Sequence, residues 1–225
     1  MPRWFEILFA SGCLLVLLPF FLIIALLIII DSAGPIFFRQ SRIGKNGKSY
    51  EIIKFRKMHI DATSHGAAVT QKNDPRLTRV GRWLERFKLD ETPQFINVLL
   101  GHMSIVGPRP EVEHYVEFYP EKWKTIHTLR PGVVGYAQTR YPFESDLYPE
   151  DCEDPVRFYI QYILPEKLDL EIEYVQRRGF WFDWGVILQI VQKYWVKLPH
   201  NIKTCRAQAP RQVESLEGRL SHAGE

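Results

Sequence analysis

Hydrophobic residues fall in one long block near the N-terminus, then in short periodic groups separated by polar, proline or glycine breaks. Ile7 to Ile30 carries no charge. As a helix these 24 residues reach about 36 Å, against a hydrocarbon core of ~30 Å. The block is too long for the apolar part of a signal peptide, and no small-residue cleavage site follows it. Membrane insertion is the expectation. Pro19, in mid-block, lacks a backbone donor and crowds the carbonyl of Leu15, so the helix should bend or break there. A bent helix that crosses and a re-entrant helix that enters and leaves on one face both satisfy this.

Beyond the block, Ile36–Ile43 and Lys48–Phe55 alternate as two strands, and the Asn46-Gly47 pair between them signals a hairpin. Residues 61–73 are small and polar and read as a mobile loop. Leu77–Lys88 reads as an amphipathic helix with Val80, Trp83, Leu84 and Phe87 on one side. Pro93–Leu100 reads as a second helix, with Thr92 as N-cap and Gly101 as its stop. Glu111–Thr128 reads as one helix, and Arg130–Gln138 as a loop or short strand. Pro165–Arg178 is helical with acids on one face. Phe180–Trp195 is a helix rich in aromatics, which suits a membrane surface or a core. From Thr204 the chain is polar and aperiodic, as expected of a flexible tail. The predicted fold class is α/β, mostly helical with a small β-hairpin or sheet. Residues 1–31 form the anchor, 32–200 a cytosolic catalytic domain with interfacial amphipathic helices, and 201–225 the tail.

Composition narrows the picture. With 225 residues and 46% hydrophobic content the chain can bury a core, which excludes wholesale disorder. Three cysteines, Cys13, Cys152 and Cys205, build neither a disulfide scaffold nor a four-ligand zinc site by themselves. The formal charge is only +3, but it is segregated. Between Arg39 and Met58 there are seven basic residues and one acid, Glu51. That excess next to the anchor points to a cytoplasmic body, and it suits an anionic leaflet or a phosphorylated substrate. A second basic stretch runs from Lys72 to Lys88, whereas Glu144 to Glu173 holds ten acids and two bases. For any single one of these charges, a solvated surface group is the better reading.

Two places could carry chemistry. In Leu89-Asp90-Glu91-Thr92-Pro93, adjacent carboxylates stand where a helix begins. Acids there often do no more than favour the helix dipole. Neighbouring carboxylates can also hold Mg²⁺, which bridges to substrate phosphates, and one of them can act as a nucleophile. In Gly107-Pro108-Arg109-Pro110, flanking prolines hold an arginine ready for bidentate contact with phosphate, or form only a rigid turn. Lys54 and Arg56, at alternate strand positions, should share one face and could add phosphate contacts. Phosphate-binding loops of the GxxxxGK[ST] and GxGxxG types, HExxH and paired CxxC are absent from the sequence. The basic stretches match no nucleic-acid module, so no nucleic-acid partner is expected.

Read in order, five motifs resemble the bacterial sugar transferases, the monotopic phosphoglycosyl transferases. They are Gly34-Pro35-Ile36-Phe37-Phe38-Arg39-Gln40-Ser41-Arg42-Ile43-Gly44, Lys54-Phe55-Arg56-Lys57-Met58, Leu89 through Val98, Met103 through Pro110, and Arg130-Pro131-Gly132. The resemblance implies transfer of a sugar-1-phosphate from a UDP-sugar to polyprenyl phosphate, usually undecaprenyl phosphate. The products are UMP and a polyprenyl diphosphate sugar, at the first membrane step of exopolysaccharide, capsule, O-antigen or glycoprotein-glycan assembly. It implies Asp90 as a nucleophile forming an aspartyl-phosphosugar intermediate, and Asp90 and Glu91 as the Mg²⁺ site. It implies substrate phosphate contacts from Arg109, with Lys54, Arg56 and Arg130 as further candidates. It also implies a re-entrant anchor broken at Pro19, lipid contact, and a bacterial inner-membrane enzyme facing the cytoplasm; a homodimer is left open.

Some positions depart from the family pattern. Leu18-Pro19 stands where Ser-Pro is common, Glu171 where an Asp is frequent, and Thr139-Arg140 where Asn-Gly is usual. Asp183 matches a second acidic position. Two other classes compete with the enzyme: a membrane-anchored scaffold for a glycan pathway, and a membrane-tethered nucleic-acid binder. Intact Asp90, Glu91 and Arg109 argue against the first, and the missing groove-reading module against the second. The sequence names neither the sugar nor the pathway.

Overall fold

The computed structural model describes residues 1–60, 74–142, 147–148 and 154–196. The expected loop at 61–73 and the tail from 201 lie outside these residues, as does part of the acidic stretch.

The N-terminal block forms one helix, α1 (Arg3–Asp31), with mean hydropathy 3.4 over its most apolar window. Among the described residues it is the one helix long and apolar enough to cross a membrane. The chain stays helical through Pro19, so the expected break is not an interruption between two helices. A proline removes one ladder bond, and the bonds on either side can carry the helix through it. Fully buried residues of α1 occur only near its ends: Glu6 and Ala10, then Ile24 and Ile28. Both ends pack on the same body. At the first end, Arg3 donates to the carbonyls of Val98 and Met103, and Glu6 accepts from Arg3 and from the Ile105 amide. At the second, Asp31 accepts from the Val80 amide at 2.8 Å, and Ile24 and Ile28 cluster with Phe55 and Leu84.

The hairpin forms as the alternation predicts. Strands β1 (Phe37–Ile43) and β2 (Ser49–Phe55) pair antiparallel, with Phe37 opposite Phe55 and Ile43 opposite Ser49. Asn46 and Gly47 take left-handed backbone angles at the turn, which is the freedom an Asn-Gly pair supplies. After β2 comes α2 (Arg79–Arg86), capped by Thr78 accepting from the Gly81 amide. Its apolar side is divided. Leu84 is fully buried and Val80 partly, but Trp83 and Phe87 are exposed.

A 3-10 turn, Leu89–Glu91, runs directly into α3 (Gln94–Leu99). Thr92 does not cap α3, contrary to expectation. Its backbone is already helical, so its hydroxyl points back and donates to the Leu89 carbonyl at 2.7 Å. Gly101, with φ of +85°, ends α3 as expected. The fully buried Asn97 joins α3 to the free edge of β2. Its Oδ1 accepts from the Ile53 amide at 3.0 Å and its Nδ2 donates to the Glu51 carbonyl at 2.7 Å.

A second two-stranded sheet follows, parallel, from β3 (Ser104–Val106) and β4 (Gly132–Val134). Gly107 and Gly132 are in backbone contact there. A Cβ on Gly132 would lie 2.1 Å from the Gly107 nitrogen, so neither position tolerates a side chain. The expected single helix over Glu111–Thr128 is two, α4 (Glu113–Val116) and α5 (Pro120–Ile126). Tyr119 turns left-handed at φ of 60° just before Pro120, which starts the new helix. The short α6 (Ala137–Arg140) follows β4. Next, α7 (Pro155–Phe158) leads through a π-helical segment, Tyr159–Ile163, into α8 (Leu164–Arg177). The last described helix is α9 (Phe180–Val196). It buries Asp183, Val186 and Ile190 while exposing Phe180, Trp181, Leu188 and Val191, so it serves the core with one face and leaves an apolar face outside.

Asn97→Leu should lower stability by about 1–3 kcal/mol, since it strands the half-buried Ile53 amide, whereas the Glu51 carbonyl, on an exposed residue, can turn to water. Thermal unfolding in detergent checks this, and an unchanged midpoint would remove the clasp from the account.

Candidate functional site

Asp90 and Glu91 are both buried, 2% and 8% exposed, and neither caps α3 through its side chain. Two adjacent carboxylates in a low-dielectric site repel, so they need cations. Lys54, near the end of β2, places its Nζ 2.9 Å from Glu91 Oε1. Arg109 brings Nη2 to 3.0 Å from the same oxygen and Nη1 to 3.5 Å from Glu91 Oε2. Lys57 Nζ lies 3.9 Å from Asp90 Oδ2 and 2.6 Å from Glu85 Oε1. Two of the phosphate-contact candidates, Lys54 and Arg109, are thus in direct contact with the catalytic and metal candidate Glu91, with Asp90 beside them.

Two further candidates are engaged elsewhere. The strand ends at Phe55, so the alternation that would put Arg56 on the face of Lys54 stops one residue short. Arg56 is 5% exposed and donates to the carbonyls of Ser32 and Ala33 just beyond α1. Arg130 donates from Nε to the Gly101 carbonyl at 3.0 Å, holding the turn after α3. Pro19 lies on the exposed middle of α1.

The two carboxylates are not equivalent. Burial pushes the Asp90 carboxyl up, with Lys57 acting against it. Burial alone would also raise Glu91, but Arg109 and Lys54 outweigh it and hold this carboxyl well below the usual range. Burial lowers the Lys54 ammonium, and Glu91 opposes that shift. Asp90 Oδ1 is a buried oxygen without a hydrogen-bond partner among the described residues. A cluster of three or more acidic, His or Cys ligands is absent among the described residues. The donor set is therefore two carboxylates. Such a set could hold Mg²⁺, which commonly takes one or two carboxylates and completes its shell with substrate phosphate and water.

The Pro108-Arg109-Pro110 loop is held from behind. Gly132 donates to the Pro108 carbonyl at 2.9 Å, and the Arg109 amide donates to Glu171 Oε1 at 3.2 Å. Glu171, on α8, is 3% exposed, and its Oε2 is buried without a partner among the described residues. Burial pushes its carboxyl up to about 7. Gly135 leaves room for this contact, since a Cβ there would sit 3.3 Å from both Glu171 Oε1 and Arg109 Cβ.

Sequence reasoning did not single out Lys57 or Glu171 as site residues. Lys57 stands three residues after Lys54, in the same motif, but beyond the strand whose periodicity would have placed it. Glu171 sits among the ten acids of a stretch that reads as solvated, and its one signal was the family resemblance, which marks its position as one often held by Asp.

Comparison with known proteins gives the same direction. The family model described as bacterial sugar transferase matches residues 1–197. The exopolysaccharide production protein PSS of Rhizobium leguminosarum bv. phaseoli is 48% identical over 148 residues, covering 62% of this chain and 74% of the relative. The UDP-glucose:undecaprenyl-phosphate glucose-1-phosphate transferase of Escherichia coli K12 is 35% identical, over 85% of this chain and 39% of that enzyme. An Aeromonas hydrophila UDP-N-acetylgalactosamine-undecaprenyl-phosphate N-acetylgalactosaminephosphotransferase is 33% identical, over 84% and 42%. The chain thus spans about two fifths of the length of these last two relatives. On the family match and these identities, the chain belongs to the bacterial sugar transferases.

Proposed function

We propose that this protein transfers a sugar-1-phosphate from a UDP-sugar to polyprenyl phosphate, through a covalent phosphosugar on Asp90. The observation that carries the reading is the buried Asp90–Glu91 pair, ringed by Lys54, Lys57 and Arg109, with one Asp90 oxygen bare. The names of the relatives support the donor and acceptor classes.

Glu91, doubly paired and held ionised, is a poor nucleophile. Asp90 offers a free oxygen with a lysine nearby to favour its charged form. It attacks the β-phosphorus, its carboxylate oxygen bonds to phosphorus, and the bond from phosphorus to the bridging oxygen breaks to release UMP. The acceptor phosphate oxygen then attacks the same phosphorus, the aspartyl–phosphorus bond breaks, and Asp90 returns as a carboxylate. Arg109 and Lys54 neutralise phosphate charge as it develops. Asp90 and Glu91 would hold Mg²⁺, which when bound would add positive charge beside the diphosphate.

The same reading puts the body at the cytoplasmic face of the bacterial inner membrane. The basic segment Arg39–Lys57 supports that side. Packing of both ends of α1 on one body supports a re-entrant anchor, because a crossing helix would leave one end on the far side. Exposed Trp83 and Phe87 on α2, and Trp181 and Leu188 on α9, are suited to rest on lipid.

Three outcomes are expected. Protein in detergent with Mg²⁺ and a panel of UDP-sugars, without acceptor, should gain the mass of one sugar phosphate. Asp90→Asn should remove the adduct and cut turnover by about 10³-fold or more while leaving folding intact; near-normal turnover would sink the covalent route. In a cysteine-free background, single cysteines at Pro2 and Ala33 should both resist a membrane-impermeant maleimide in intact cells and react after lysis. Labelling of only one in intact cells would instead indicate a crossing helix. Finally, burial raises the Glu171 carboxyl to about 7 in the folded protein, above the ordinary glutamate range, so the folded state binds the extra proton. Its contribution is full at low pH and is lost as pH rises from about 5 to 8, by up to about 3 kcal/mol. Glu171→Gln should flatten that decline in the unfolding midpoint, and an identical slope in both proteins would contradict it.

A further inference from the structure

Of the three cations around the dyad, Lys57 is placed differently from the other two. Lys54 and Arg109 close on Glu91 at 2.9 and 3.0 Å. Lys57 stands 3.9 Å from Asp90 Oδ2, and its short contact, 2.6 Å, is with Glu85 Oε1. Glu85 lies on α2, outside the five motifs that mark the family.

Local structure fixes this arrangement. Lys57 follows the end of β2, and α2 rests directly on its backbone. Thr78 donates its amide to the Lys57 carbonyl at 3.0 Å, and a Cβ on Gly81 would lie 1.8 Å from the same oxygen. The bare Gly81 therefore lets the first turn of α2 touch the chain at Lys57. Glu85 stands one helical turn after Gly81, so it shares that face. The fully buried Leu84 and the Thr78 cap hold the helix in this rotation. With both segments fixed, the Lys57 ammonium rests between two carboxylates, close to Glu85 and held off Asp90.

The spacing has a chemical consequence. A lysine closed onto Asp90, as Lys54 is onto Glu91, would attract its charge about a third more strongly and occupy the oxygen with a hydrogen bond. That charge leaves the carboxylate when Asp90 bonds to phosphorus. A carboxylate electron pair forms the new bond, the bond from phosphorus to the bridging oxygen breaks, and its electron pair leaves on UMP. An interaction stronger with the free carboxylate than with the transition state slows this attack. At the observed distance the ammonium opposes it less, and still stands beside Asp90 when the acceptor's attack returns the charge. We propose that Glu85 is a positioning residue that draws Lys57 off Asp90 and so keeps the nucleophile free to attack. The proposal rests on the transferase reading.

The test is the rate of sugar-phosphate adduct formation, by rapid quench and intact mass, on the full chain in detergent with Mg²⁺. The donor is the UDP-sugar of the panel that labels the wild-type chain, at several concentrations. Glu85→Gln keeps the shape of the side chain and removes the charge that holds Lys57. It should slow the saturated rate about tenfold and leave the half-saturating donor concentration within about twofold. Lys57→Met keeps the apolar stem and removes the ammonium. In that background Glu85→Gln should change the rate by less than about twofold, because Glu85 acts only through Lys57. Unfolding midpoints verify that the variants are folded, and Lys57→Gln serves as the background if Lys57→Met is not. A wild-type saturated rate in folded Glu85→Gln would overturn the proposal. So would an equal loss in both backgrounds, since Glu85 would then act without Lys57. Failure of the transferase reading looks different: the wild-type chain itself would form no adduct with any donor, and the proposal would fall with it.

Discussion

Two neighbouring carboxylates buried side by side are the constraint around which this molecule is arranged. Left alone, Asp90 and Glu91 would take up protons or stay in water. They remain buried because Lys54, Lys57 and Arg109 converge on them from two distant parts of the chain. Each of those parts has its own fastening. The hairpin that carries Lys54 is clasped to the dyad's own helix by Asn97, which completes the free edge of β2. The loop that carries Arg109 is fixed by the contact of Gly107 with Gly132 and by Glu171 from α8. Removing one cation leaves a buried charge uncompensated, which typically costs more than the ion pair contributes.

Within that arrangement the dyad is asymmetric. Glu91 is engaged on both oxygens, whereas Asp90 keeps one bare and has its nearest lysine at 3.9 Å. Pairs of carboxylates whose surroundings push their titration apart commonly divide roles between them. On the transferase reading, the carboxylate with the free oxygen is the nucleophile and its fully paired neighbour is the electrostatic partner. Exchanging the two side chains would therefore not be a neutral substitution, although both are acids.

Local rules made part of this legible in the sequence. The hairpin follows from alternation and Asn46-Gly47, the end of α3 from Gly101, and α9 from its long aromatic-rich run. Features set by distant contacts were not legible. Strands β3 and β4 are three residues each and pair in parallel across 25 intervening residues, so no local period marks them. Tyr119 breaks a helical pattern that looks continuous until its left-handed turn meets Pro120. At the site, the dyad and Arg109 stand in recognisable motifs, but Lys57 lies just past the strand and Glu171 in an acidic stretch. Arg56 and Arg130 show the converse. Both are basic residues in family motifs, and both hold backbone carbonyls of the scaffold.

The apolar helix α1 and the site are mechanically one unit. Arg3 and Glu6, at the start of α1, hold the end of α3 and β3, while Asp31, at its end, holds the start of α2. The dyad turn lies between α2 and α3, so both helices flanking it are tied to the same apolar helix. On the transferase reading this has a physical use. An acceptor confined to the bilayer meets its partner by moving along a surface, but only if the nucleophile stays at a fixed depth. A tether at one end of the anchor would let the body swing away from that depth. Ties at both ends, on either side of the dyad, restrict that motion.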